Sequence, residues 1–165
     1  MKSVLISIRP KWCELIASGR KTIEVRKTRP KIPVPFKCYI YCTKPKMITK
    51  FCSEVNGNGK VIGEFVCDCI TGLRADNGIQ TYYNGPDAKI IKYASGKKVY
   101  YWHISDLKIY DEPKELWSFW KADKCPYATE SGCTYKYHCF RAGQTQRCGE
   151  TLTRPPQSWC YVDAE

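Results

Sequence analysis

Apolar and polar residues alternate from the start of the chain, and changes in that period divide it into short elements. Val4, Ile6 and Ile8 recur at every second position, the pattern of a strand. The period then changes: Trp12, Leu15 and Ile16 fall at i, i+3 and i+4, predicting a short helix packed through those three. Pro10 suits its first turn, where no N–H is needed, and Gly19 suits the left-handed residue beyond its end. Thr22 to Arg26 alternates again, which predicts Ile23 and Val25 inward and Glu24 and Arg26 together on the other face. Phe36, Cys38, Ile40 and Cys42 share one face of a second long strand, with Tyr39 and Tyr41 on its reverse. An Asn56–Gly59 turn leads into a strand from Lys60 to Ile70, where Gly63 permits a bulge or close backbone approach. Residues 71–97 are rich in Gly, Asn and Asp, with a short helical piece around Pro86 to Tyr93. Val99 to Tyr110 reads as a β-run broken near Ser105-Asp106, and Pro113 to Trp120 as a helix with Leu116, Phe119 and Trp120 inward. Ser158 to Val162 closes the series as a strand. Strands outnumber helices, so the expected class is α+β: a mixed β-barrel with a few short helices, closure leaving no free edge.

Length and composition narrow the picture. The 165 residues suit a single domain, 1–165, able to bury a core. No apolar run of about 18 residues occurs, so no membrane span is expected, and the opening strand is too short for a signal-peptide core. The expected setting is cytoplasmic, where the 11 cysteines stay as thiols or metal ligands. The net charge of +11 is unevenly placed. Residues 1–60 hold 14 Lys and Arg against Glu14, Glu24 and Glu54, whereas the remainder is balanced. Lys21, Arg26, Lys27, Arg29 and Lys31 follow the first helix closely, a field that concentrates polyanions.

Residues 121–150 differ from the rest. They carry Cys125, Cys133, Cys139 and Cys148, with His138 beside Cys139, and few aliphatics. A segment with so little to bury needs another source of order, and tetrahedral zinc on these four cysteines is the candidate. The alternative is free thiols packed under a long loop. The first two gaps are similar to a three-cysteine, one-histidine finger, but Gly143 stands at its histidine position. The segment is expected to be a cysteine-rich insertion before the last strand. No other cofactor is required.

The stretch Gly19-Arg20-Lys21-Thr22-Ile23-Glu24-Val25-Arg26, after the Pro10–Trp12 helix start, resembles the signature Gly-x-Lys-x-x-Glu-x-Arg of the ASCH family, a branch of the PUA-like superfamily of small β-barrels. The resemblance is specific over residues 4–26. It implies a cleft between the first helix and the barrel that binds RNA or a modified nucleotide. Some members hydrolyse the acetyl group of N-acetylcytidine with a lysine, a threonine and a glutamate. Lys21 matches that lysine, whereas Glu24 stands where the threonine would be. Gln157, Ser158 and Trp159 resemble a second recurring element of the family that borders the cleft.

The residues themselves suit such a ligand. Lys21 and Arg26 only donate and an ionised Glu24 only accepts, so together they match a base or ribose bearing both kinds of group. Without a ligand, Glu24 and Arg26 would be a surface pair worth at most about 1 kcal/mol. Arg9 and Lys11 flank the helix start, where an anion is favoured. Trp12, Tyr39, Tyr41 and Trp102 are candidate stacking faces, each also a candidate for plain packing. Three functions follow. The first is binding of RNA or a modified nucleotide. The second is a small amidohydrolase acting on N-acetylcytidine-type nucleosides with Lys21 and Glu24 catalytic. The third is a nucleotide-sequestering or protein-interaction module.

Overall fold

The computed structural model describes residues 2–44, 57–74, 98–121 and 151–163. Its elements run β1 (Lys2–Ile8), α1 (Pro10–Ala17), β2 (Ile23–Arg26), β3 (Phe36–Cys42), β4 (Val61–Cys67), β5 (Ile70–Arg74), β6 (Lys98–His103), β7 (Ser105–Lys114), a 3-10 turn (Leu116–Ser118), β8 (Trp120–Lys121) and β9 (Trp159–Asp163). Among the described residues the strands form two sheets. The larger has six strands in the order β7-β4-β3-β1-β9-β8, and the smaller three, β2-β6-β5.

The connectivity follows from the pairing of β1. It runs parallel to β3, with Ile6 opposite Ile40, and antiparallel to β9, with Ile6 opposite Trp159. Parallel neighbours need a crossover, and here it contains α1 and β2. β1 is therefore central and buried almost throughout, Val4, Leu5 and Ile6 having no exposed surface. Its two faces serve two cores. Val4, Ile6 and Ile8 join Cys13 and Ile16 of α1, Phe36, Cys38, Ile40, Cys42, Phe65 and Trp102. Leu5 joins Tyr39, Tyr41, Val61, Leu116, Phe119, Leu152 and Val162 on the reverse. The expected division of β3 into a Cys38/Ile40 face and a Tyr39/Tyr41 face is observed, with both faces covered.

The structure alters four expectations. No closed barrel is formed by the described residues: the two sheets share no ladder. The Lys60–Ile70 strand is broken at Asp68-Cys69, so that β4 serves the larger sheet and β5 the smaller. The Pro113–Trp120 helix is instead the end of β7, a 3-10 turn and β8. Lys114 pairs with Val61, and Pro113 tolerates the sheet because β7 is an edge among the described strands. Leu116 and Phe119 are buried as expected, but a three-residue turn with extended flanks also brings them to one side. Finally, α1 packs through Cys13 and Ile16, leaving Trp12 39% exposed.

Gly63 meets its expected role. A Cβ there would lie 2.5 Å from the Lys108 carbonyl oxygen, and the ladder shifts register on both sides of β4 near this point. The helical piece at Pro86–Tyr93 and the insertion with Cys125, Cys133, Cys139 and Cys148 lie outside the described residues. Among those described, no group of three or more His, Cys, Asp or Glu has metal-holding geometry, and no helix is long and apolar enough to cross a membrane.

Candidate functional site

Pro10 opens α1 after Arg9, whose extended backbone (φ −71°, ψ 148°) starts the helix without a side-chain cap. Gly19 ends it at φ +72°, reversing the chain so that Lys21 N–H reaches the Leu15 carbonyl at 2.9 Å. β2 then runs beside β6, Glu24 opposite Trp102 and Arg26 opposite Tyr100. Residues two apart share a face, so Glu24, Arg26, Trp102 and Tyr100 all lie on one side of the smaller sheet. That side is the inner one. Glu24 is only 8% exposed whereas Ile23 is 42% exposed, the reverse of the expected orientation. The reason lies in what Glu24 meets inside.

Its carboxylate is gripped from both ends. Lys21 Nζ donates to Oε2 at 2.6 Å, and Arg26 Nη2 lies 3.1 Å from Oε1. Lys21 also donates to the Ile23 carbonyl. Arg26 spans the two sheets: Nη2 donates to the Ser7 carbonyl of β1 at 2.6 Å, and Nη1 to Ser158 Oγ at 3.4 Å. Ser7 Oγ in turn donates to the Pro156 carbonyl at 2.6 Å, and Ser7 N–H to the Ser158 carbonyl at 2.9 Å. Arg26 is thus largely occupied in positioning Glu24 and joining the sheets, although its Nε has no partner among the described residues.

The aromatic residues divide into two groups. Trp102 is fully buried, packed edge-on to Phe36 at 5.9 Å between ring centroids and 6.0 Å from Trp159, and its Nε1 has no partner among the described residues. Trp159 donates through Nε1 to Thr28 Oγ1 at 3.0 Å and stacks edge-on to Tyr161. Trp12, by contrast, lies open beside the cluster, with the Lys21 and Lys11 ammonium groups each 5.8 Å from its ring centre. It is an exposed aromatic surface beside Lys21, the partner of Glu24.

The predicted site residues therefore separate. The structure gathers Lys21, Glu24, Arg26, Trp12, Trp102, Ser158 and Trp159 around the inner face of β2. Arg9 and Lys11 stand exposed at the helix start, and Gln157 is exposed beside Ser158. Tyr39 and Tyr41 are buried in the second core, behind the larger sheet, and are not brought to the cluster. Ser7 and Tyr100 belong to the cluster although their sequence context pointed to neither. A polar residue inside the apolar Val4–Ile8 run was the available signal for Ser7.

Cys13 also lies beneath the cluster. The hydrogen bond its S–H donates to Cys42, then burial, then the Cys42 and Glu24 charges hold its thiol well above the ordinary range. A thiol kept protonated is a poor nucleophile, which leaves the polar chemistry here to Lys21, Glu24 and Arg26.

Fold and site together identify the class. Residues 6–142 match the ASCH domain, and the chain belongs to the ASCH domain family. Solved structures agree on the fold. The ASCH protein of Zymomonas mobilis is 20% identical, with a TM-score of 0.58 over 98% of this chain and 87% of that one. A serine-to-alanine variant of the same protein gives 19% identity and a TM-score of 0.57, covering 98% and 88% of the two chains. A tyrosine-to-phenylalanine variant gives 22% and 0.53, covering 70% and 77%. No curated protein matches the chain.

Proposed function

We propose that the chain binds RNA or a modified nucleotide in the cleft beside α1, where a base enters between Trp12 and the inner face of β2. One observation carries this reading: a nearly buried carboxylate is held by two cations, and one of them, Lys21, also lies 5.8 Å from the exposed Trp12 ring. A carboxylate has about four acceptor positions. Lys21 and Arg26 take part of that capacity, and an exocyclic amine or ribose hydroxyl can take the rest. Lys21 offers a donor to a neighbouring carbonyl or phosphate, and Trp12 a stacking face worth about 1–3 kcal/mol. The surplus charge of residues 1–60 draws a polyanion to this side. The PUA-like character of the family is in keeping with nucleic-acid binding.

Fluorescence anisotropy with labelled single-stranded RNA tests the proposal. Lys21→Glu and Trp12→Ala each weaken binding about tenfold or more, and affinity falls steeply with salt. Unchanged affinity in both variants removes the cleft from the account.

A second reading rests on the 2.6 Å contact between Lys21 Nζ and Glu24 Oε2, which puts a nucleophile and a base within hydrogen-bond reach. In an amidohydrolase acting on N-acetylcytidine-type nucleosides, water adds to the acyl carbonyl and the C–N bond breaks. The exocyclic amine takes a proton and a carboxylate leaves. Incubation with N-acetylcytidine followed by chromatography checks it, and absence of product at excess protein removes it.

A further inference from the structure

The inner face of β2 leads from Glu24 to Arg26, and the register carries it on to a second cluster. Two strand residues advance about 6.6 Å, so Tyr100, opposite Arg26, lies one such step from Trp102, opposite Glu24. Two exposed cations converge on the half-buried Tyr100 ring. The Arg29 guanidinium lies 5.9 Å from its centre and the Lys98 ammonium 5.3 Å. They come from different elements, Arg29 from the loop after β2 and Lys98 from the start of β6. That loop is fastened on both sides of Arg29. Thr28 Oγ1 accepts from Trp159 Nε1 at 3.0 Å, and Lys31 N–H donates to Tyr161 OH at 2.7 Å. Nor does the loop carry a carboxylate to neutralise its cations, because no Asp or Glu occurs between Glu24 and Glu54.

A planar fork and a compact point charge, each within about 6 Å of the centre of one ring, supply donors that suit phosphate oxygens. We infer that Arg29, Lys98 and Tyr100 form a phosphodiester subsite one nucleotide along from the Glu24 cleft, so that the ligand is a single-stranded oligonucleotide rather than a free nucleotide. The inference takes its register from the cleft reading above, but its chemistry stands on separate residues.

Competition anisotropy on the full chain compares a nucleoside 5′-monophosphate with a tetranucleotide of the same base. The tetranucleotide binds about tenfold tighter or more. The double variant Arg29→Glu, Lys98→Glu abolishes that gain, leaves monophosphate binding intact, and lowers the salt slope by about 0.7 for each lost contact. Both positions are exposed, and thermal melts verify that the variant folds. Equal affinity for the two ligands, or a gain insensitive to the double variant, overturns the subsite. The two readings fail separately. Lys21→Glu abolishing monophosphate binding without any gain from length keeps the cleft and removes the subsite. Tetranucleotide binding that depends on Arg29 and Lys98 but ignores Lys21 keeps the subsite and removes the cleft.

Discussion

Two carboxylates sit in similar company on opposite sides of this molecule. Glu24 lies between Lys21 and Arg26 on the inner face of the smaller sheet; Glu64 of β4 lies between Lys37 and Tyr110 on the Tyr39 face of the larger one. Lys37 Nζ reaches Glu64 Oε1 at 2.9 Å, and Tyr110 OH donates to Oε2 at 2.5 Å. The difference is in the partners' freedom. The Lys21 and Arg26 side chains are only 17% and 11% exposed, and each is also tied to a backbone carbonyl, whereas Lys37 is 42% exposed. Around Glu24 the charges are fixed and largely dry; around Glu64 one of them is in water. The same residue types therefore make a rigid, enclosed charge cluster in one place and an ordinary cross-strand tie in the other.

The sharpest way to break this comparison is truncation at Glu24. Glu24→Ala leaves Lys21 and Arg26 enclosed without their counter-charge and costs about 3 kcal/mol, read as a lower urea midpoint. Glu64→Ala costs about 1–2 kcal/mol, because water and Tyr110 take up part of the loss. Equal losses would erase the distinction. Trp12→Ala sharpens it from the side of function. Removing a side chain exposed beside the cluster changes stability by about 0.5 kcal/mol or less yet weakens RNA binding.

The smallest expected effect is one of pH. Burial pushes the Glu64 carboxyl upward, but its hydrogen bonds from Tyr110 and Lys37 outweigh burial and hold it below the ordinary range. A depressed carboxyl stabilises the fold fully above its unfolded value near 4.5 and ceases to do so as pH falls through its lower folded value. The stability gap between the parent chain and Glu64→Gln is therefore constant at neutral pH and shrinks below about 4.5. Lys37 has the opposite sign. Its bond to Glu64 raises it, so its contribution is complete below 10.5 and disappears only as pH climbs through the raised value. Urea melts across acid and alkaline pH check both limbs.

How much of this was legible in the residues depends on the range of the forces involved. The Val4–Ile8 alternation, the Pro10 and Gly19 limits of α1, the two faces of β3 and the close approach at Gly63 are local matters, and each is found. The orientation of β2 was not local. Alternation alone placed Ile23 and Val25 inward, because hydrophobicity is the usual guide to burial. In the inner space Lys21 and Arg26 compensate the buried carboxylate, and Arg26 is held there by the Ser7 carbonyl and by Ser158, 134 positions from Glu24. Trp12 failed the helical-face rule for a related reason: the helix turns Cys13 and Ile16 to the core instead. The Lys21–Glu24–Arg26 triplet was identifiable from the ASCH resemblance, but Arg26 as a link between sheets needed the fold.

The break between β4 and β5 at Asp68-Cys69 has a counterpart between β6 and β7 at Ile104, so the chain leaves and rejoins the larger sheet at adjoining corners. His103 Nδ1 meets Asp68 Oδ1 at 2.7 Å, His103 N–H donates to the Cys69 carbonyl at 3.0 Å, and Ser105 Oγ donates to the Val66 carbonyl at 2.9 Å. These contacts fasten the three-stranded sheet to the larger one at those corners, and Arg26 fastens it again through the Ser7 carbonyl and Ser158. The spacing between the two sheets beside Glu24 is thus held from two places rather than one.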